Sequence, residues 1–207
     1  MIIVVEGISA AGKTTWCQKH APTYMLPETG SMKGAPDRDA DPQAAADFWV
    51  TQNSCRWDKA LKLERSLGVA VCDTDPLKLH YVWSLWQIGV ASEQTWQFEL
   101  TAMRDAFRER RIGFADRYLV KMLDEATARQ QRENDPTRTR RNFELHLRLQ
   151  ASLVAWYAAI EAVMPGSVIW EHPTDGLLGL SGQSESAGRH DLGSFDAAVT
   201  LLSVTRP

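Results

Sequence analysis

The chain has 207 residues, enough for one sizeable α/β core and too few for two ordinary domains. Its formal charge of −3 leaves no broad basic footprint, which argues against nucleic-acid binding by general phosphate attraction, so any anion site must be local. Cys17, Cys55 and Cys72 are odd in number, widely spaced and outside any metal-ligand pattern, and no apolar run reaches the length of a membrane span; neither a disulfide framework, a zinc site nor a membrane protein is indicated, and a reducing, cytoplasmic location is expected.

Residues 2–6, opening Ile2-Ile3-Val4-Val5, read as a strand buried on both faces, which leaves no room for a signal peptide ahead of it. Helix follows over residues 13–20 and is stopped by Pro22, and a short strand is expected over 24–26. Residues 29–42 are rich in Gly, Pro and Asp and read as a mobile loop. Phe48, Trp49, Trp57, Ala60, Leu61 and Leu67 then recur at helical intervals, predicting a helix over 43–66 that Gly68 ends. The run Val69-Ala70-Val71-Cys72 is a central strand leading into Asp73-Thr74-Asp75-Pro76.

Two helices are predicted over 77–91 and 93–111, the second capped by Ser92, and a fourth strand over 112–116. Helix over 120–132 meets a break at Asn134-Asp135-Pro136, and a long helix follows over 141–163. Residues 168–170 make a fifth strand, the Gly/Ser-rich stretch 175–194 a flexible C-terminal loop, and 197–204 a last edge strand. Strands alternating with helices require crossover connections. The expected fold is therefore a single α/β domain over 1–207 with three α/β/α layers and a parallel sheet of about five strands.

The segment GISAAGKT, Gly7 to Thr14, satisfies G-x-x-x-x-G-K-[ST] at every fixed position, immediately after a strand and at the start of a helix. Its backbone amides can converge on phosphate oxygens at the positive end of that helix. Gly7, Ser9, Ala10, Ala11, Gly12, Lys13, Thr14 and Thr15 are the expected nucleotide-binding residues, with Lys13 reaching the β/γ-phosphates and the Thr14 hydroxyl ligating magnesium.

In open parallel sheets the ligand crevice lies beyond the carboxyl ends of the strands, where Glu28 and the pair Asp73/Asp75 fall. Phosphoryl transfer needs magnesium, a carboxylate to orient or deprotonate the acceptor and cations around the migrating group. Asp73 suits the magnesium shell; Glu28, after the preceding strand, is better placed to meet an acceptor; Asp75 suits a cap. Arg129, Arg132, Arg138, Arg140 and Arg141 surround the Asp135-Pro136 break and suit a cationic lid over 129–141, the alternative being a solvated turn. Of eight tryptophans, Trp49 and Trp57, with Arg56 as a polar handle, could wall an acceptor pocket, against core packing as the alternative.

Phosphate loop, acidic strand-three exit, arginine hairpin and long helix, in that order over most of residues 1–173, resemble the P-loop nucleoside and nucleotide kinases, the thymidylate kinase and deoxynucleoside kinase branch especially. The resemblance implies ATP and Mg2+ at Gly7, Gly12, Lys13 and Thr14, lid roles for Arg129 and Arg132, adenine near residues 172–174, and Glu28 as the base. Those families usually place an arginine after the acidic residue that ends strand three; here Asp73 is followed by Thr74, wording more like the nicotinamide riboside kinases. The expected partners are the nucleotide and a nucleoside, nucleotide or similar small polar acceptor, without nucleic acid or membrane, and with homodimerisation open. An antibiotic or specialised-metabolite phosphotransferase and a nucleotide-binding switch without small-molecule transfer are the competing readings.

Overall fold

The computed structural model describes residues 1–30, 32–134, 142–180 and 188–204. Strands β1 (Ile2–Gly7), β2 (Met25–Leu26), β3 (Ala70–Asp73), β4 (Arg117–Lys121) and β5 (Val168–Ile169) pair in parallel in the order β2-β3-β1-β4-β5. The register sets Val5 opposite Asp73 and Gly7 opposite Lys121. The carboxyl ends of β1, β3 and β4 therefore open on one edge, with β1 at the point where the strand order diverges to either side.

The period-two alternation of β1 divides the core. Ile2 and Val4 join Cys72 and Tyr118 on one face, beneath α2 (Pro42–Leu67), α4 (Glu93–Arg108), α7 (Gln150–Val163) and α8 (Leu192–Val204). Ile3 and Val5 join Val71 and Leu119 on the other, beneath Trp16 and Cys17 of α1 (Lys13–His20) and Leu180. This is the expected three-layer α/β/α arrangement around a parallel sheet. α3 (Leu79–Gln87) packs against α4 and α7, and α2 against α4.

Local signals hold where they are strong. Gly68 closes α2 at φ 79°, and Ser92 caps α4 by accepting a hydrogen bond from Thr95 N. Four expectations need correction.

The fourth strand is Arg117–Lys121 and not 112–116, although both stretches are buried. Phe114 N donates to Arg189 O and Ala115 N to Tyr118 Oη, so this lead-in spends its amides elsewhere, and pairing with β1 begins where Asp116 N reaches Ile2 O. The next helix cannot start at 120, because Val120 lies in β4; Asp124 caps α5 (Glu125–Glu133) by accepting from Thr127 N.

The helix expected over 141–163 is two, α6 (Phe143–Arg148) and α7, broken at Leu149, beside which the Gln150 side chain bonds both N and O of Leu123. Finally, 197–204 belongs to α8 and not to an edge strand. Phe195, Ala198 and Leu202 are its buried residues, at helical spacing, with Phe195 against Phe107 and Phe114. Within 175–194, Leu180 and Arg189 are buried, 192–194 open α8, and 181–187 lie outside the described residues.

Candidate active site

The phosphate loop leaves β1 through Gly7, where a Cβ would stand 2.7 Å from both Ala11 Cβ and Lys121 O; only glycine allows so close an approach over the end of β4. Ala10 and Gly12 adopt left-handed backbone, φ 75° and 83°, and Gly12 passes the chain into α1. Residues Ser9 to Thr15 line a cavity of about 740 Å³ together with Lys121 and the turn at His172, Pro173 and Thr174. That turn is tied to the loop: Trp16 Nε1 donates to Pro173 O at 2.7 Å, and His172 Nε2 lies 2.9 Å from Glu6 O. Burial pushes His172 down to about 4, so at neutral pH it is the neutral imidazole, donating Nε2–H to that carbonyl.

Lys13 Nζ donates to Gly7 O at 2.7 Å and Ile8 O at 3.3 Å, holding the ammonium at the loop mouth. Thr14 Oγ1 donates to Asp73 Oδ2 at 2.7 Å, while Asp73 Oδ1 is buried and finds no hydrogen-bond partner among the described residues. Burial raises the Asp73 carboxyl, Thr14 and Lys13 oppose this, and Glu28 and Glu6 add to it. A hydroxyl and an under-used carboxylate oxygen side by side suit a hard divalent cation. Among the described residues no group of three His, Cys, Asp or Glu side chains could enclose an ion.

Glu28, beyond β2, is exposed and accepts from Lys78 Nζ at 2.8 Å. It also lines a second cavity, of about 590 Å³, bounded by Trp49, Met32, Tyr81 and Leu153. Ser9, Lys13, Glu28 and His146 border both cavities.

The remaining expected residues divide. Trp49 lines the second cavity, whereas Trp57 is 1% exposed in the core, edge-on to His190, and is absent from the wall. Arg56 borders the cavity, but its guanidinium is spent on carbonyls: Asp73 O, Thr74 O at 2.7 Å, Pro27 O at 3.2 Å and Leu26 O at 3.4 Å. It clamps the exits of β2 and β3, and so positions the segments carrying Glu28 and Asp73. On α5, Arg129 makes a two-pronged contact with Glu144 at 2.7 and 2.8 Å and bonds Glu125, while Arg132 lies over the Phe143 ring at 4.7 Å. Gln131 and Asn134, from the same stretch, do line the nucleotide-loop cavity. Arg138, Arg140 and Arg141 lie outside the described residues.

Of two further buried acids, Glu6 escapes sequence reasoning and Asp75 is read there only as a cap. Glu6, ending β1, accepts from Gly7 N at 3.1 Å and Asp75 N at 2.9 Å, pinning the loop to the β3 exit. The glutamate between an apolar strand and the first loop glycine is the only signal for it. Asp75 turns the chain by accepting from Leu77 N at 2.9 Å, and takes a hydrogen bond from Tyr157 Oη at 3.2 Å. Burial is the main cause pushing Asp75 up to about 7, with Glu6 adding to it.

No protein-family model matches the chain, and no curated protein matches it. Among solved structures it is similar to deoxyadenosine kinase from M. mycoides with products dCMP and a flexible dCDP bound: TM-score 0.56, 14% identity, covering 82% of this chain and 89% of that one. The same enzyme with dCTP gives 0.55, 13%, 83% and 90%, and with dATP 0.55, 13%, 83% and 91%. At this identity the likeness is one of fold.

Proposed function

We propose that the chain is a nucleoside kinase, transferring the γ-phosphoryl group of ATP to a hydroxyl of a nucleoside or similar polar acceptor. The observation that carries this reading is the meeting of two cavities at Ser9, Lys13, Glu28 and His146. One cavity is floored by the phosphate loop; the other is aromatic-walled and of a size suited to a small ligand. A donor phosphate in the first and a hydroxyl in the second would face each other there. A nucleotide switch has no need of the second cavity.

In the transfer, the acceptor oxygen forms a bond to the γ-phosphorus as the bond from that phosphorus to the β-bridging oxygen breaks, releasing ADP. Glu28 orients the hydroxyl and takes its proton; Lys13 and the loop amides offset charge on the phosphate oxygens. Thr14 and Asp73 would hold magnesium, which when bound neutralises phosphate charge. Arg129 and Arg132 are assigned to the lid, which requires Arg129 to exchange Glu144 for phosphate when nucleotide binds. The fold likeness to deoxyadenosine kinase supports a nucleoside as acceptor.

The test is ADP release, with product mass, across nucleosides, nucleotides and aminoglycoside-like or chloramphenicol-like compounds. A phosphorylated nucleoside is the expected result. Phosphorylation of only an antibiotic would replace the acceptor, and ATP binding without any product would overturn the kinase reading.

A further inference from the structure

Besides Glu28 and the backbone-bound Glu6, the acceptor cavity contains a third carboxylate, which phosphoryl transfer does not use. Glu99, on α4, is 3% exposed and lines the cavity, yet among the described residues no hydrogen bond reaches it. Its ion partner is Arg38 Nε, at 4.0 Å, and that Nε is itself buried without a hydrogen bond among the described residues. The Arg38 guanidinium lies over two rings of the cavity wall, 5.2 Å from the Trp49 centroid and 6.0 Å from that of Tyr81. Ser84 Oγ and His80 Nδ1, also from cavity-lining residues, are buried and have no partner among the described residues.

Buried polar groups are nearly always paired, and a cluster left unpaired inside a cavity is one that a ligand can complete. The cluster stands apart from the chemistry. Burial raises the Glu99 carboxyl to about 7, with Arg38 the charge opposing it, whereas Glu28 is acted on by Lys78, Lys13 and Arg56. The two carboxylates therefore serve different ends of a bound acceptor.

We propose that Glu99 reads the acceptor's base: its carboxylate accepts an exocyclic amino N–H of a flat nitrogen heterocycle stacked against Trp49 and Tyr81, while Arg38 donates to the adjacent ring nitrogen. This names the substrate class of the proposed kinase, aminopyrimidine or aminopurine nucleosides, and rests on that function. Arg38 beside it and an amino N–H donated to it both favour the ionised form of Glu99, which only accepts hydrogen bonds, while a guanidinium only donates them. Side by side, they match an edge with an amino donor next to a nitrogen acceptor. Uracil and thymine present one N–H between two carbonyl oxygens, which the carboxylate repels.

Deoxycytidine and deoxyuridine differ at this edge alone. The experiment measures kcat/KM for both with wild type, Glu99→Gln and Glu99→Met, together with thermal midpoints and titration of each nucleoside into the nucleotide-free chain. Wild type is expected to prefer deoxycytidine, and Glu99→Gln, whose amide can donate, to lower that preference by at least about tenfold, through KM more than kcat. The midpoint of Glu99→Met reads separately what the carboxylate contributes beside Arg38, and shows that the variant is folded when its preference is measured. A purely structural Glu99 would lower the midpoint and leave the preference alone. Should both nucleosides be turned over with a ratio unmoved in either variant, the inference falls and the kinase reading stands. Should wild type neither bind nor phosphorylate any nucleoside, both fall together.

Discussion

Glu28→Gln separates a kinase with its own base from a protein that merely binds nucleotide. The substitution keeps shape and one acceptor oxygen and removes the charge. Loss of a positioned general base costs about 10²–10⁴ in rate, so turnover should fall at least about a hundredfold, equivalent to roughly 2.7 kcal/mol of transition-state stabilisation. Stability should scarcely register it. The bond lost is an ion pair with Lys78, with 31% and 45% of the two side chains exposed, and such pairs contribute about 0.2–1 kcal/mol. For a chain of this size that amounts to at most roughly 2–4 °C in midpoint. ATP affinity should be unchanged, since the phosphates are held by Gly7 to Thr14.

The pH profile gives an independent reading. Burial raises the Glu28 carboxyl, but the charge and hydrogen bond of Lys78, with Lys13 and Arg56, outweigh it, and the group lies below its ordinary 4.5. Glu28 is then ionised throughout the neutral range, so its acid limb in kcat/KM should fall below pH 4.5, and Lys78→Met should move that limb upward. Rates come from coupled ADP release, and ATP binding from the fluorescence of Trp16, which borders the nucleotide-loop cavity. A Glu28→Gln variant within a few-fold of wild type on the best acceptor would refute the assignment.

Asp73→Asn should weaken magnesium-dependent turnover more than metal-free nucleotide binding, because it removes the charge beside Thr14 Oγ1; equal losses in a magnesium titration would reassign Asp73 to structure. Arg129→Ala should slow turnover by about ten- to a thousandfold with the thermal midpoint nearly unchanged, and an unaltered rate would leave Arg129 as a surface partner of Glu125 and Glu144. Asp75 titrates near 7 in the folded chain against 3.8 for the free side chain, so its contribution to stability is greatest below about pH 4 and is lost as pH rises towards 7. The midpoint of Asp75→Asn relative to wild type should therefore climb between pH 4 and 7 and level off above, and a difference independent of pH would mean that Asp75 is not raised.

What was legible in the sequence is what short-range chemistry decides. The phosphate loop, α1, the ends of α2 and the Ser92 cap follow from residues within a few positions of one another. The fourth strand was not legible, because residues 112–121 form one nearly continuous buried run and the choice of paired segment rests with Arg189 and Tyr118, which claim the amides of Phe114 and Ala115. The apolar run before residue 204 fits a strand or a helix equally by composition; packing on α7 and α4 decides it. Within the site the same division holds. Arg56 reads as a substrate handle until its four carbonyl partners, from two strand exits, are seen. Glu99, in Gln97-Phe98-Glu99-Leu100, carries no sequence signal, and its burial appears only in the folded chain, where α4 packs against α2 and α3.

Four carboxylates crowd the carboxyl edge of this sheet, and their partners divide the work among them. Glu6 is 3% exposed and accepts two backbone amides, so turning it toward a ligand would break the bonds that pin the loop to the β3 exit. Asp75 is 1% exposed, is held by Leu77 N and Tyr157 Oη, and lines neither cavity, so no ligand can reach it. Asp73 retains one buried oxygen without a partner among the described residues, next to a hydroxyl at the mouth of the nucleotide cavity, which suits a cation better than a proton. Only Glu28 is at once ionised, accessible and on the border of both cavities, and its restraint is a single flexible lysine rather than the backbone. A base must let go of its resting partner when the acceptor arrives; exchange of Lys78 for a hydroxyl costs little at a half-exposed pair, whereas freeing Glu6 would strip the hydrogen bonds that hold the loop to the β3 exit.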